Sequence, residues 1–286
     1  MKVQKEYDAA DGSATPGEVF TASIGNRSII PAGKELSYMR MGLKGAVATS
    51  AVVIEDFGDL LSEYVLFVGS ETRLKLDSQD LCALHKFYYG GFLHIGENTD
   101  ATGNDYIGGV KIPVYAPADP AKPFTHAATR TAVTNIATET IALSTYWDME
   151  EVGRKAIHAV KLTHTTAGGA GFEQLNFGIP RVGKLIGLIF EIPNGFDDTN
   201  IDTSIQRFRI LVEGVEHSQF NILSDGVPLN DQNYVAPAPH GDLLRPYLAF
   251  DFRPAGYDAK ANRLTLAIDI QDVSDAIAII PILEVA

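Results

Sequence analysis

The segment "VLFVGSETRLKL", Val65–Leu76, has a counterpart far along the chain in "RILVEGVEHSQFNIL", Arg209–Leu223. In each segment an apolar run is closed by a glycine, Gly69 or Gly214, and a second run follows. The preceding sequence is echoed too, because "PAGKELSYMRMGLKG" corresponds to "RVGKLIGLIFEIPNG". The copies are separated by about 150 and about 145 residues, roughly half of the chain's 286 residues. A repeat of this length predicts a duplicated domain, since solenoid repeats have roughly 20 to 50 residues.

The local pattern in these segments is that of β-strands. In "ETRLKLD", which starts at Glu71, charged residues alternate with Thr72, Leu74 and Leu76. This period of two predicts a ribbon with one solvent-exposed face and one buried face. "RFRILV" alternates in the same way, and so does the stretch 264–270 before the apolar run "AIAIIPILEV". These patterns predict the strands of a sandwich.

One segment shows helical spacing, "SQDLCALHKFYYGG". Ser78 is a candidate N-cap, Asp80 lies in the first turn, and Gly90 follows the last apolar residue. The sequence therefore predicts a short helix here. In the second half, Gly226 and Pro228 occupy the corresponding region, which predicts that this helix is missing there.

The middle of the chain, residues 116–138, reads "APADPAKPFTHAATRTAVTNIAT". Its content of Pro, Ala and Thr, without a sustained period, predicts an extended connection at which the chain divides. The stretch "WDMEEVGRKAIHAVKL" fits either of two structures. Asp148 could cap a helix, but Gly153 interrupts the helical pattern and the remainder suits a strand.

Composition limits the classes of function. The chain has 45% hydrophobic residues, enough for one large or two modest domains. Its formal net charge of −13 disfavours direct binding to nucleic-acid phosphates. No uninterrupted apolar stretch reaches about 18 residues, and the first residues lack a secretory signal, so a soluble, unprocessed chain is expected. The single cysteine, Cys82, is expected to be a small buried residue and not a nucleophile.

Motifs that could bind phosphate or metal each lack a required part. "GIPRVGKL" has Leu185 where a phosphate loop needs Ser or Thr, so it is interpreted as a turn that enters a strand. "DDTNID", residues 197–202, has no glycine at the sixth place of a calcium loop, and Arg209 stands where the bidentate Glu belongs. His158 and His164 are the closest pair of histidines, but their spacing does not fit a helical metal site.

Motifs for hydrolysis are similarly incomplete. "HTTAGGAG", which starts at His164, lacks the strand-to-helix context of an oxyanion cradle and is interpreted as a flexible loop. Glu150 and Glu151 stay open as glycosidase carboxylates, because a partner could lie anywhere in the fold. We therefore predict no catalytic, cofactor-binding or metal-binding residue.

Three segments carry a resemblance to a known family: "GKELSYMRMGLKG", "SEYVLFVGSETRLKLDSQDLCALHKFYYG" and "NRLTLAIDIQDVSDAIAIIPILEV". In this order of elements the chain resembles the double jelly-roll major capsid proteins of tailless icosahedral viruses, a group that commonly has an internal membrane. The resemblance covers about two thirds of the chain as a pattern of elements.

The resemblance implies an all-β fold of two tandem eight-stranded jelly-roll sandwiches with short helices in the loops. It implies an N-terminal arm over 1–29 that orders on assembly, a first jelly roll over 30–125 and a second over 126–286. The loops 94–109 and 235–247 would form the top of the molecule or contact neighbours. The arm is not strongly basic, so the sequence does not predict that it is anchored by charge to lipid or genome.

The implied function is structural and not enzymatic. The chain would form a homotrimer with a pseudo-hexagonal outline that tiles an icosahedral shell. Its partners would be further copies in neighbouring capsomers, minor capsid or vertex proteins and, where the virus has one, an internal membrane. The resemblance implies no cofactor and no sequence-specific nucleic acid, and it places the protein in the virion, assembled in the host cytoplasm.

Two other classes of function stay open. A β-sandwich carbohydrate-active enzyme would need convergent carboxylates and exposed aromatic rings, and Trp147 is the chain's single tryptophan. A glycan- or receptor-binding viral spike module would share the β-rich character. Only the half-and-half repeat argues against the spike module.

Overall fold

The fold is known from a computed structural model, which describes residues 2–8, 19–23, 35–47, 58–90, 94–95, 105–117, 121–122, 124–131, 136–148, 155–165, 171–175, 179–191, 205–229, 244, 247–270 and 276–285. The chain forms two compact units. The first unit contains Met1–His158 and Tyr234–Leu243, and the second contains Ala159–Asn233 and Leu244–Ala286. The division therefore follows His158, whereas the sequence placed it at 125.

The strands of the first unit are β1 Lys2–Asp8, β2 Val19–Ser23, β3 Glu35–Val47, β4 Leu61–Val68, β5 Glu71–Leu76, β6 His94–Ile95, β7 Asp105–Pro117, β8 Phe124–Arg130 and β9 Ile136–Asp148. One sheet has the order β1-β9-β3-β7, with the two-residue β6 at its edge. The other has the order β5-β4-β8-β2. When β6 is set aside, the other eight strands of this unit can be counted from 1 to 8 in chain order. In this count, one sheet contains strands 1-8-3-6 and the other contains strands 2-7-4-5.

In the second unit, the strands are β11 Leu162–Thr165, β12 Gly171–Leu175, β13 Gly183–Glu191, β14 Ile205–Val212, β15 Val215–Asn221, β16 Val227–Pro228, β17 Tyr247–Asp251, β18 Tyr257–Asp258, β19 Leu264–Ile270 and β20 Ala276–Val285. β11 pairs with β20, β20 with β13, and β13 with β17, and the other sheet has the order β12-β19-β14-β15. When β16 and β18 are set aside, the other eight strands can again be counted from 1 to 8 in chain order, starting at β11. In this count the two sheets again contain strands 1-8-3-6 and 2-7-4-5. A further strand, β10 Ala156–Val160, crosses the division between the units.

Both units are therefore jelly rolls, because each consists of eight strands in two antiparallel sheets with the same order. The prediction of an all-β fold with two tandem jelly rolls is confirmed.

The shared order explains the repeat in the sequence. Each of the two echoed segments contains a Gly-Lys pair at the third strand of its unit. Gly33-Lys34 comes directly before β3 in the sequence, and Gly183-Lys184 begins β13. Gly69 and Gly214 lie in the two-residue turns that join the fourth strand to the fifth. Their φ angles are +63° and +82°, a region that glycine adopts without steric cost. The repeated glycines therefore mark equivalent hairpins.

Two predicted boundaries differ from the structure because segments without a clear period form strands. Residues 2–8, predicted as part of an arm, form β1, which pairs along its length with β9. Residues 19–23 form β2, which pairs with β8. β8 itself lies inside the stretch 116–138, which was predicted to be an extended connection. These strands complete the two sheets of the first unit.

The predicted helix is present as α1, Ser78–Tyr89, but Asp77 and not Ser78 is its N-cap. The Asp77 carboxylate accepts a hydrogen bond from the Asp80 N–H at 2.8 Å, and the Asp80 carboxylate accepts one from the Asp77 N–H at 3.1 Å. This capping box satisfies two backbone donors. The Ser78 hydroxyl instead accepts a hydrogen bond from the Leu61 N–H at 2.7 Å, and so ties the helix to β4. Gly90 ends the helix with φ +63°, as predicted.

The second unit also has a helix after its fifth strand, contrary to the prediction. This helix, α2 Ile222–Asp225, has four residues and ends before Gly226. A Cβ on Gly226 would lie 2.6 Å from the Ile222 carbonyl oxygen, so only glycine fits where the chain leaves the helix. Pro228 follows in β16 and lacks the N–H that a longer helix would need. The helix is thus shortened to one turn and not lost.

An aromatic cluster joins the two sheets of the second unit. Phe208 on β14 lies 5.1 Å from Phe190 on β13 and 4.7 Å from Phe250 on β17, measured between ring centroids. Phe220 on β15 stacks on Phe208 at 5.0 Å. Phe190, Phe208 and Phe250 are almost completely buried. The apolar run of β20 joins the same core, since its residues 277–283 are all buried.

We predict that Phe208→Ala lowers the free energy of unfolding by about 3 to 5 kcal/mol, because it leaves a cavity between the two sheets. The control is Val215→Ala, at a side chain that is 71% exposed, which should change stability by less than about 0.5 kcal/mol. Urea denaturation followed by fluorescence measures both. Equal stability of the two variants would contradict the assignment of Phe208 to the core.

A second prediction concerns the capping box. Asp77→Ala removes the acceptor for the Asp80 N–H and should cost about 1 kcal/mol of stability. Asp77→Ser keeps a capping oxygen and should cost only a few tenths of a kcal/mol. Thermal unfolding of both variants tests the assignment, which fails if alanine and serine have the same effect.

Candidate functional site

The described residues contain no group of three or more His, Cys, Asp or Glu side chains that could hold a metal ion. The candidate calcium loop, 197–202, lies outside the described residues, and so do Glu150, Glu151 and residues 166–170 of "HTTAGGAG". The interpretations that the sequence analysis gave for these segments therefore stay predictions. Within the described part of the chain, no helix is long and apolar enough to cross a membrane.

The phosphate-loop candidate is a turn, as predicted. Arg181 and Val182 form the turn, and Gly183 begins β13. A Cβ on Gly183 would lie 1.9 Å from the Glu284 carbonyl oxygen on β20. The glycine therefore permits close packing of two strands and does not open a cradle for phosphate.

The single cysteine is held away from solvent. Cys82 lies in α1 and has no exposed surface. Burial, together with the carboxylates of Asp77 and Asp80, raises the pKa of its thiol well above the usual value. A thiol in this environment does not form the thiolate that nucleophilic chemistry needs. The prediction that Cys82 is a buried structural residue agrees with this geometry.

His158 and His164 are not brought together as ligands. His158 lies in β10 and is 7% exposed, whereas His164 lies in β11 opposite Ile277. Burial and the nearby Arg73 lower the pKa of His158 to about 4. The His158 imidazole is therefore neutral near pH 7.

Arg73 departs from the strand pattern read in the sequence. The alternation in β5 placed it on the exposed face with Glu71, but the Arg73 side chain is only 11% exposed and that of Glu71 is 57% exposed. Arg73 donates to the Glu71 carboxylate at 2.9 Å. Its Nε and the Nδ1 of His158 have no hydrogen-bond partner among the described residues. The period of two could not reveal this cluster, because it shows which side of a strand a residue occupies but not what covers that side.

One end of the second unit forms a surface made of hydrogen-bonded turns, which we call the turn end. It consists of Arg181–Gly183, Glu213–Gly214 and 252–263. The Glu213 N–H donates to the Arg263 carbonyl at 3.0 Å, and the Glu213 carboxylate accepts from the Arg263 N–H at 2.6 Å. The Lys260 N–H donates to the Gly183 carbonyl at 3.0 Å. These bonds join three separate turns.

The turn end presents apolar groups to solvent within a balanced set of charges. Val182 and the adjoining Val215 are 37% and 71% exposed. On and beside it lie the basic residues Arg181, Lys184, Arg253, Lys260 and Arg263 and the acidic residues Glu213, Glu216, Asp251 and Asp258. This end is thus nearly neutral, although the chain carries a net charge of −13. It can approach another acidic surface without the repulsion expected of the chain as a whole.

Comparisons with known proteins identify the fold. No family model matches the sequence, and no curated protein matches it. Among solved structures, the STIV major capsid protein matches with a TM-score of 0.70 and 11% sequence identity, over 100% of this chain and 97% of that chain.

Two further matches come from other viruses. The major capsid protein P2 of bacteriophage PM2 matches with a TM-score of 0.60 and 8% identity, over 99% of this chain and 98% of that chain. The PBCV-1 virus capsid matches with a TM-score of 0.59 and 10% identity, over 99% of this chain and 93% of that chain. Across its whole length, the chain therefore has the fold of these viral capsid proteins, as the sequence resemblance implied.

Proposed function

We propose that this chain is the major capsid protein of an icosahedral virus and acts as a structural component of the virion shell. The observation that carries the proposal is the pair of jelly rolls with identical strand order within one chain. The full-length similarity to major capsid proteins supports it, because the match includes both jelly rolls and not one common domain.

The proposed assembly unit is a homotrimer. Soluble oligomers usually have closed symmetry. Three copies around a threefold axis bring six similar jelly rolls into one ring, which gives a pseudo-hexagonal outline that can tile a shell. Each chain with its two jelly rolls therefore supplies two similar edges, and three copies supply six.

We further propose that the protein is not an enzyme. In the described residues, the candidate nucleophile Cys82 is inaccessible, and His158 is buried and neutral near pH 7. The structurally similar proteins are capsid components. The structural similarity to capsid components therefore supports a structural role over the carbohydrate-active alternative.

The connections between the fifth and sixth strands are proposed as tops or contacts with neighbours. They span 77–104 in the first jelly roll and 222–246 between β15 and β17 of the second, and each begins at or next to a helix. Within 222–246, the segment Tyr234–Leu243 groups with the first unit. The loops 94–109 and 235–247 predicted for this role overlap these two connections, although 96–104 and 230–243 lie outside the described residues.

Minor capsid proteins or an internal membrane are further proposed partners.

The mass of the purified chain in solution tests the proposal. Light scattering should give about three times the chain mass of 30.9 kDa, and negative-stain images of the same peak should show a hexagonal outline or shell-like particles. A monomer that forms no larger species at high concentration would overturn the proposed assembly. A trimer with separate elongated lobes would instead support the spike alternative.

Variants at exposed valines extend the test. Val215→Asp and Val227→Asp place a charge at side chains that are 71% and 60% exposed, so the fold should tolerate both. Their masses are compared with that of the wild-type chain. A selective loss of trimer in one variant would identify which of the two valines lies at a contact with another copy.

A further inference from the structure

A buried histidine, His158, lies beside a pair of charged side chains where the chain leaves the first unit. His158 is the last residue of the first unit in this part of the chain, and Ala159 is the first of the second. Both belong to the strand β10, whose residues 156–159 are buried. The ring of His158 therefore lies on the path by which one jelly roll is covalently joined to the other.

The charged side chains that act on this ring come from β5. They are Arg73 and Glu71, which pair with each other at 2.9 Å. Lys75 on the same strand is engaged elsewhere, because it pairs with Glu63 of β4 at 3.0 Å. The main charged neighbour of His158 is thus the Arg73 cation, whose side chain is 11% exposed.

Charged groups on the other strands are accounted for separately. The sequence of β10, "AIHAV", has no other titratable residue. Lys155 before it is exposed, and Lys161 after it pairs with Glu191 at 2.6 Å. The last strand, β20, has one charged residue, Glu284, whose position lies opposite Lys184 on β13.

We propose that His158 and Arg73 form an acid-sensitive switch that controls the packing of the strand β10. When the His158 ring is neutral, the strand β10 stays buried. When the ring takes up a proton, a second positive charge is added beside the largely buried Arg73 side chain, and the strand must loosen to hydrate it. The inference concerns the chain itself and does not depend on the proposed capsid function.

The direction of the pH dependence follows from the pKa of His158. It lies near 4 in the folded chain, below the ordinary value of about 6.5 that applies after unfolding. The unfolded chain therefore binds this proton first, and the stability present above about pH 6.5 is lost as the pH falls toward 4. For one group, the unfolding equilibrium constant rises by at most about tenfold per pH unit.

The test compares the full-length wild-type chain with His158→Gln, which cannot take up the proton. Urea denaturation is measured between about pH 7 and about pH 4.5. Over this range the wild-type unfolding constant should rise by up to about a hundredfold more than that of His158→Gln. Parallel curves for the two proteins would overturn the proposal. Arg73→Met removes the neighbouring cation and should also weaken the pH dependence.

Hydrogen exchange separates a local switch in β10 from general acid destabilisation. Amides of 156–160 in the wild-type chain should exchange faster at about pH 4.5 than in His158→Gln, at a urea concentration where both remain folded. Equal protection of this strand in both proteins would overturn the proposal. If His158→Gln does not fold, the wild-type chain alone tests the proposal through NMR of carbon-13-labelled histidine during a pH titration. One of the seven histidine resonances should then titrate near pH 4. The absence of such a resonance would also overturn the proposal.

Discussion

Contact between the two sheets of the second unit holds that jelly roll together, and Phe208 is at its centre. This ring packs on Phe190 and Phe250 of the opposite sheet and on Phe220 of its own sheet. A sandwich requires the inward positions of both sheets to coincide, and a shift of one residue would turn this apolar set to the other face. The strand register of β14 is therefore fixed by the core, and the neighbouring hairpin and turn end depend on that register.

The two jelly rolls share strand order but not loop structure. Each has a two-residue hairpin between its fourth and fifth strands, yet Gly69 is the first turn residue in one and Gly214 is the second in the other. Glu213 also adopts a positive φ of +51°, and its backbone and side chain both bond to Arg263. After the fifth strand, α1 has twelve residues and α2 has four. The duplication thus preserved the sheets, whereas the turns and helices diverged.

The sequence predicted the features that depend on local periodicity. These include the hairpins around Gly69 and Gly214, the helix that ends at Gly90, and the late strand over 264–270. It misplaced β1, β2 and β8, because these strands are established by pairing with distant partners and not by their own alternation. It also missed the contact of Arg73 with the environment of His158, since the two residues lie far apart in the chain. Local pattern therefore predicted the strands of a sandwich, and the family resemblance implied the two jelly rolls. The domain boundary and the cluster around His158 depend on contacts across the sheets.

The edge of a β-sheet is a place where unintended pairing with another chain can begin. β15 is the outer strand of its sheet, and such a strand offers backbone groups to any strand that approaches. Here the register between β14 and β15 shifts at Ile210 and Leu211, and the Glu216 carboxylate is paired with Arg209 at 2.9 Å. The resulting irregularity and the charged side chains of β15 discourage extension of the sheet. Pairing of β15 with a strand of another chain is therefore disfavoured, and the sheet ends at this strand.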